Sequence, residues 1–236
     1  MFESLYAKTY AILGSQLFIT WLTTVVLIVV ARRLYHAKKF GFTATETETG
    51  QLDIHIPWEH ISTPFIFIFL LQFGTGLGLI FWGKNQDISI SFIWFSIWSV
   101  LTGVMLGIFL LLQNENHGSK ALGIAVIITL IAALIGTHPG VNLLPLGPFL
   151  FVALLFLLSG YTIRLILGLH QGRKTAIFGA LIFIGFLLYD FNRLATLNEA
   201  PAANTWQVAM DLSIQIYIDI INLILEILEI LAAMEE

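Results

Sequence analysis

Along most of this chain apolar residues do not alternate with polar ones; they run. Seven predominantly apolar stretches, about 10–31, 61–82, 88–112, 121–137, 146–168, 175–194 and 207–231, are long enough, or nearly so, to cross a bilayer at about 1.5 Å rise per residue. Periodicity does not separate a buried helix from a membrane span here, but length and the lack of charge do. The fourth stretch has a short strictly apolar core and stops at His138-Pro139-Gly140, and the sixth carries Asp190, Asn192 and Arg193 in its last turn. The pattern predicts an all-α polytopic membrane protein. It is read as a single transmembrane domain over residues 1–236, with seven helices and a long polar first loop over 32–60.

The seventh stretch departs from the others. It reads as an apolar helix, yet it holds Asp211, Gln215, Asp219, Asn222, Glu226 and Glu229. At about 100° per residue these six positions fall in a wedge about 80° wide. An acid at the centre of a membrane helix costs about 2.5–3.5 kcal/mol. A stripe of them is tolerated only where it faces water, an ion path or partner side chains. Carboxylates and amides along one wall suit hard cations such as calcium. The competing reading is a helix lying flat in the interface, but such helices display Lys or Arg on their polar face, and none follows Arg193. Glu229 reads as a residue at the membrane exit, with Glu235 and Glu236 beyond it in solvent.

Asp190 and Asp219 sit on consecutive helices joined by a loop of about a dozen residues, which normally pack antiparallel. Counted from the expected helix ends, their heights differ by roughly 10 Å at ideal rise. If the two carboxyls meet in low dielectric, they cannot both ionise cheaply and titrate as a unit. Sharing a proton would hold two helices together; two charges would repel or bind a cation. The alternative is local pairing, Asp190 with Arg193 and Asp219 with Asn222. Arg164, near the end of the fifth stretch, reads either as a side chain snorkelling to the headgroups or as a counter-ion to the acids.

Composition narrows the function. Only 11% of residues are charged and mean hydropathy is +0.89, against about 25% charged in soluble domains. A net charge of −4 argues against a nucleic-acid partner. The absence of cysteine excludes disulfides, thiolate metal sites and cysteine nucleophiles. No nucleophile–base pattern is present, so no enzyme and no cofactor are expected, and His55-x-x-x-Glu59-His60 matches no strong metal motif. The first apolar run is too long for the core of a signal peptide. Gly103-x-x-x-Gly107 is the small-residue pattern of close helix packing. Seven basic residues in loops one, three and five, against three on the other side, favour an outside N-terminus.

Several segments, in order, resemble the Bax-inhibitor family, the seven-helix proteins of bacteria and eukaryotes with the transmembrane Bax-inhibitor motif. Leu5 to Gly14 is similar to the family's opening, Leu101 to Gly107 to its third-helix glycine motif, and Leu146 to Phe151 to the start of its fifth helix. Leu181 to Asp190 and Ile216 to Leu223 resemble the sixth- and seventh-helix signatures that carry the family's two pore aspartates, here Asp190 and Asp219. The resemblance implies a pH-sensitive calcium leak channel, gated by a proton-sharing aspartate pair, with the seventh helix at the bundle centre. Calcium would be the transported ion and would meet Asp190 and Asp219. Asp211, Asn222 and Glu226 would extend the polar path, with Arg193 or Arg164 as counter-ion.

The implied location is an integral, multi-pass one, in a bacterial inner membrane or a eukaryotic endomembrane. The alternative function is a non-conducting regulator that binds a membrane protein partner, as in cell-death or membrane-protease regulation. The chain also departs from the family's pattern. Phe191 follows the first aspartate where a Thr is usual, residues 61–82 hold no basic residue to act as a second-helix Arg latch, and Pro139 to Asn142 carries no charge. The family is drawn with a cytoplasmic N-terminus, opposite to the charge count.

Overall fold

In the computed structural model, residues 3–36, 43–46, 52–55, 58–112, 115–167 and 172–234 are described. Among them the long apolar runs form seven α-helices: α1 (Leu5–His36), α2 (Trp58–Phe81), α3 (Ile88–Leu112), α4 (Glu115–Gly136), α5 (Gly147–Ile166), α6 (Arg173–Asn198) and α7 (Trp206–Ala232). The protein is all-α apart from one small hairpin in the first loop, where β1 (Thr43–Glu46) pairs antiparallel with β2 (Leu52–His55). Thr43–Glu46, part of the expected long polar loop, thus supplies a strand, a conformation that suits β-branched Thr.

Six helices, α1 to α6, are long and apolar enough to cross a membrane. Large side chains such as Phe67, Phe81, Phe149 and Phe156 stand exposed on them, as a lipid solvent allows. α7 has 27 residues and the length to span. It differs from the six in carrying four acids between Asp211 and Glu229.

The contacts divide the chain into two compact units. One comprises Ala11–Asn116 and is held by small residues. A Cβ on Gly103 would lie 2.5 Å from the Thr20 carbonyl oxygen, and one on Gly107 2.7 Å from Leu27 Cδ2, so α3 approaches α1 as only glycine permits. Thr20 and Thr24 of α1 donate to the carbonyls of Ser99 and Gly103 at 3.2 and 2.9 Å. Gly76 and Gly78 of α2 make room for the Trp98 and Trp94 rings of α3, and Trp94 Nε1 donates to the Thr75 carbonyl at 2.9 Å.

The other unit comprises Met1–Tyr10 and His117–Glu236. Its centre is the antiparallel pair α6 and α7, whose contacts run from Arg193–Gln215 through Asp190–Asp219 to Gly179–Glu226. α7 begins at an N-cap, where Thr205 accepts from Val208 N at 3.2 Å. The preceding turn is tied to the start of α1: Lys8 Nζ donates to Asn204 O and Oδ1 at 2.8 and 2.9 Å, and Asn204 Nδ2 donates to Glu3 O at 2.7 Å. Ser213 donates to the Thr9 carbonyl at 3.0 Å.

α6 extends four residues beyond its expected end, to Asn198. Asp190, Asn192 and Arg193 therefore lie inside the helix rather than at its exit. The height mismatch between Asp190 and Asp219 falls to about 7–8 Å at ideal rise, a gap that side-chain length and helix tilt span.

Candidate functional site

α6 and α7 turn their polar residues toward each other, and three clusters result. The deepest joins Asp190 and Asp219, only 3% and 7% exposed. Their side chains bear on each other across the helix pair, and the Asp219 Oδ2 is buried with no hydrogen-bond partner. Carboxylates only accept hydrogen bonds, so two carboxyls hydrogen-bond to each other only with a proton between them. Arg193 and Asp211 are the charges that bear on Asp190 from outside the pair.

The second cluster is nearer the α6–α7 turn. Arg193 Nη1 donates to Gln215 Oε1 at 2.6 Å, its Nη2 lies 3.4 Å from Asp211 Oδ2, and Gln215 Nε2 donates to the same oxygen at 2.8 Å. Arg193 thus crosses to α7 instead of pairing only along its own helix. Asp219 likewise does not pair with Asn222, whose Nδ2 donates to the Ile218 carbonyl at 2.8 Å. Asn222 is turned back on its helix and does not join the acidic pair.

The third cluster lies toward the other end of α7. Glu226 is buried, and Tyr161 of α5 donates its hydroxyl to Glu226 Oε1. Gly179 of α6 packs directly on the carboxyl. Glu229 is half-buried and acts electrostatically on both Glu226 and Tyr161. Arg164 lies in the last turn of α5, with its guanidinium beside Gly172 at the start of α6.

Two contributors, Tyr161 and Gly179, carry no signal in the sequence. Tyr161 is one aromatic in an apolar run, and Gly179 is one of several glycines. Asn192 was visible only as a polar residue near a helix end. It proves to anchor the turn after α4, donating to Gly136 O and Val141 O at 2.9 and 2.8 Å and accepting from Leu143 N at 2.8 Å. Among the described residues no group of three or more His, Cys, Asp or Glu side chains could hold a metal ion.

A helical membrane protein with a buried pair of aspartates across its last two helices is the class that this fold and site define. The family model described as Inhibitor of apoptosis-promoting Bax1 matches residues 3–236, nearly the whole chain. The chain belongs to the Bax inhibitor family. No curated protein matches it.

Proposed function

We propose that the protein is a pH-sensitive leak for cations, calcium foremost, with Asp190 and Asp219 as its gate. The observation that carries this reading is the side-chain contact between the two buried carboxyls on adjacent helices. With one proton shared, the pair ties α6 to α7. With both protons gone, two like charges in low dielectric repel, and the separated carboxylates offer oxygens to a passing hard cation. Two carboxylates supply at most four of the six to eight oxygens that calcium takes, which suits a transported ion rather than a resident one. Arg193 is the counter-ion of this reading, and Asp211 lies beside it on the polar face.

The sign follows from the chemistry: the tied state holds at low pH, and flux rises as pH rises and the shared proton is lost. Calcium flux into dye-loaded liposomes, measured from pH 5 to 8, tests it with Asp219→Asn. The variant loses the pH-dependent flux. Unchanged flux and pH response in that variant overturn the gate. Wild-type protein with no flux above empty liposomes at any pH supports instead a non-conducting regulator whose acids serve helix packing.

A further inference from the structure

Glu226 lies seven residues beyond Asp219 on α7. That is two turns and about 10 Å along the same face, too far to belong to the aspartate pair. Its carboxyl has a place of its own, built from three helices. Tyr161 of α5 donates to Oε1, while Oε2 is buried with no hydrogen-bond partner. α6 contributes a glycine where the carboxyl needs room. A Cβ on Gly179 would lie 2.5 Å from Glu226 Cδ, 2.5 Å from Oε1 and 2.8 Å from Oε2, so no larger residue fits without displacing the head group.

Among the described residues, the charged or titratable groups that bear on Glu226 are Tyr161 from α5 and Glu229 from its own helix; α6 presents Gly179, which has no side chain. An ionised Glu226 would keep one buried oxygen unsatisfied and face a like charge one turn away. A buried charge without a cationic partner costs several kcal/mol, and a bound proton removes that charge. Calcium is a poor fit here, since it takes about six to eight oxygens and Glu226 and Glu229 supply at most four from carboxyls. Tyrosine hydroxyl both donates and accepts. It can donate to the carboxylate and, turned around, accept from the carboxylic acid. The α5–α7 contact therefore survives in either protonation state, unlike a hydrogen bond between two carboxyls, which requires a proton.

We propose that Glu226, Tyr161 and Gly179 form a second proton-binding site, separate from the aspartate pair, in which the Glu226 carboxyl takes up and releases a proton against the tyrosine hydroxyl. The site stands whether or not the aspartate pair gates a leak.

Infrared difference spectroscopy of the full chain in lipid nanodiscs, between high and low pH, reads it directly. Wild-type protein should show a protonated-carboxyl carbonyl band that persists in the Asp190→Asn/Asp219→Asn double variant. Glu226→Gln should abolish that band, and Tyr161→Phe should move it to higher frequency because its hydrogen bond is lost. A pH-difference spectrum that folded Glu226→Gln leaves unchanged overturns the site. So does a carbonyl band that stays at its wild-type frequency in folded Tyr161→Phe, which keeps the carboxyl and decides the matter even if Glu226→Gln fails to fold. Failure of the leak would appear in ion flux and leave these bands in place.

Discussion

Arg193 and Gln215 meet at 2.6 Å across the α6–α7 interface, and the same guanidinium reaches toward Asp211 at 3.4 Å. This places a positive charge beside Asp190. In Arg193→Gln the positive charge beside Asp190 is gone, so the proposed gate should open only at higher pH. The flux–pH profile in liposomes should move up by about one pH unit. Because the ion pair is partly exposed, the stability loss should be small, about 1 kcal/mol, read from thermal unfolding in detergent. A profile that does not move argues against Arg193 as the counter-ion.

Asn192 is buried and satisfies three backbone groups of the segment from Gly136 to Leu143. Asn192→Leu leaves two carbonyls and one amide without their partner. At about 1–3 kcal/mol for each group that stays buried, a net loss of roughly 3 kcal/mol is expected, lowering the thermal midpoint by roughly 5–10 °C. Asn192→Asp keeps the acceptor for Leu143 N and loses both donors, so it should rank between wild type and Leu. Detergent thermal-shift measurements on the three proteins check the order.

The glycines separate into those that admit a neighbour and those that do not. Gly103 is pressed on the Thr20 backbone, whereas nothing lies within 4 Å of a Cβ on Gly14. Backbone cannot swing aside as a side chain can, so Gly103→Ala should cost about 1–3 kcal/mol through overpacking. Gly14→Ala should be neutral or stabilising by up to about 1 kcal/mol, as helix propensity favours alanine. Equal unfolding midpoints for the two variants would contradict the close α1–α3 approach.

The helices were legible because length and apolarity alone define them, and the acidic stripe was legible because helical geometry projects it onto one face. The end of α6 was not. Asp190, Asn192 and Arg193 read as residues leaving the membrane, yet each has a partner on another element, and those partners let the helix continue to Asn198. Pairings have the same limit. Local spacing offered Arg193 to Asp190 and Asn222 to Asp219, whereas the antiparallel fold put Asp219 beside Asp190 and turned Asn222 onto Ile218 O. Tyr161 and Gly179 belong to the Glu226 site only through tertiary placement, which no pattern within α5 or α6 announces. The strand at Thr43–Glu46 was hidden because its polar composition reads equally well as loop.

The aspartate contact also makes a prediction about stability that is independent of transport. In the proposed gate α6 and α7 are tied at Asp190–Asp219 by a hydrogen bond that requires a proton. Its contribution is therefore present at low pH and lost as pH rises and the shared proton leaves. In detergent the wild-type thermal midpoint should fall by several degrees between pH 5 and pH 8. Asp219→Asn replaces one acid with an amide that donates a hydrogen bond at any pH, so its midpoint should lose that part of the slope. Glu226 and the remaining acids are common to both proteins, so the difference between the two curves isolates the pair. Midpoints that run parallel across this pH range would mean that no shared proton holds the helices together.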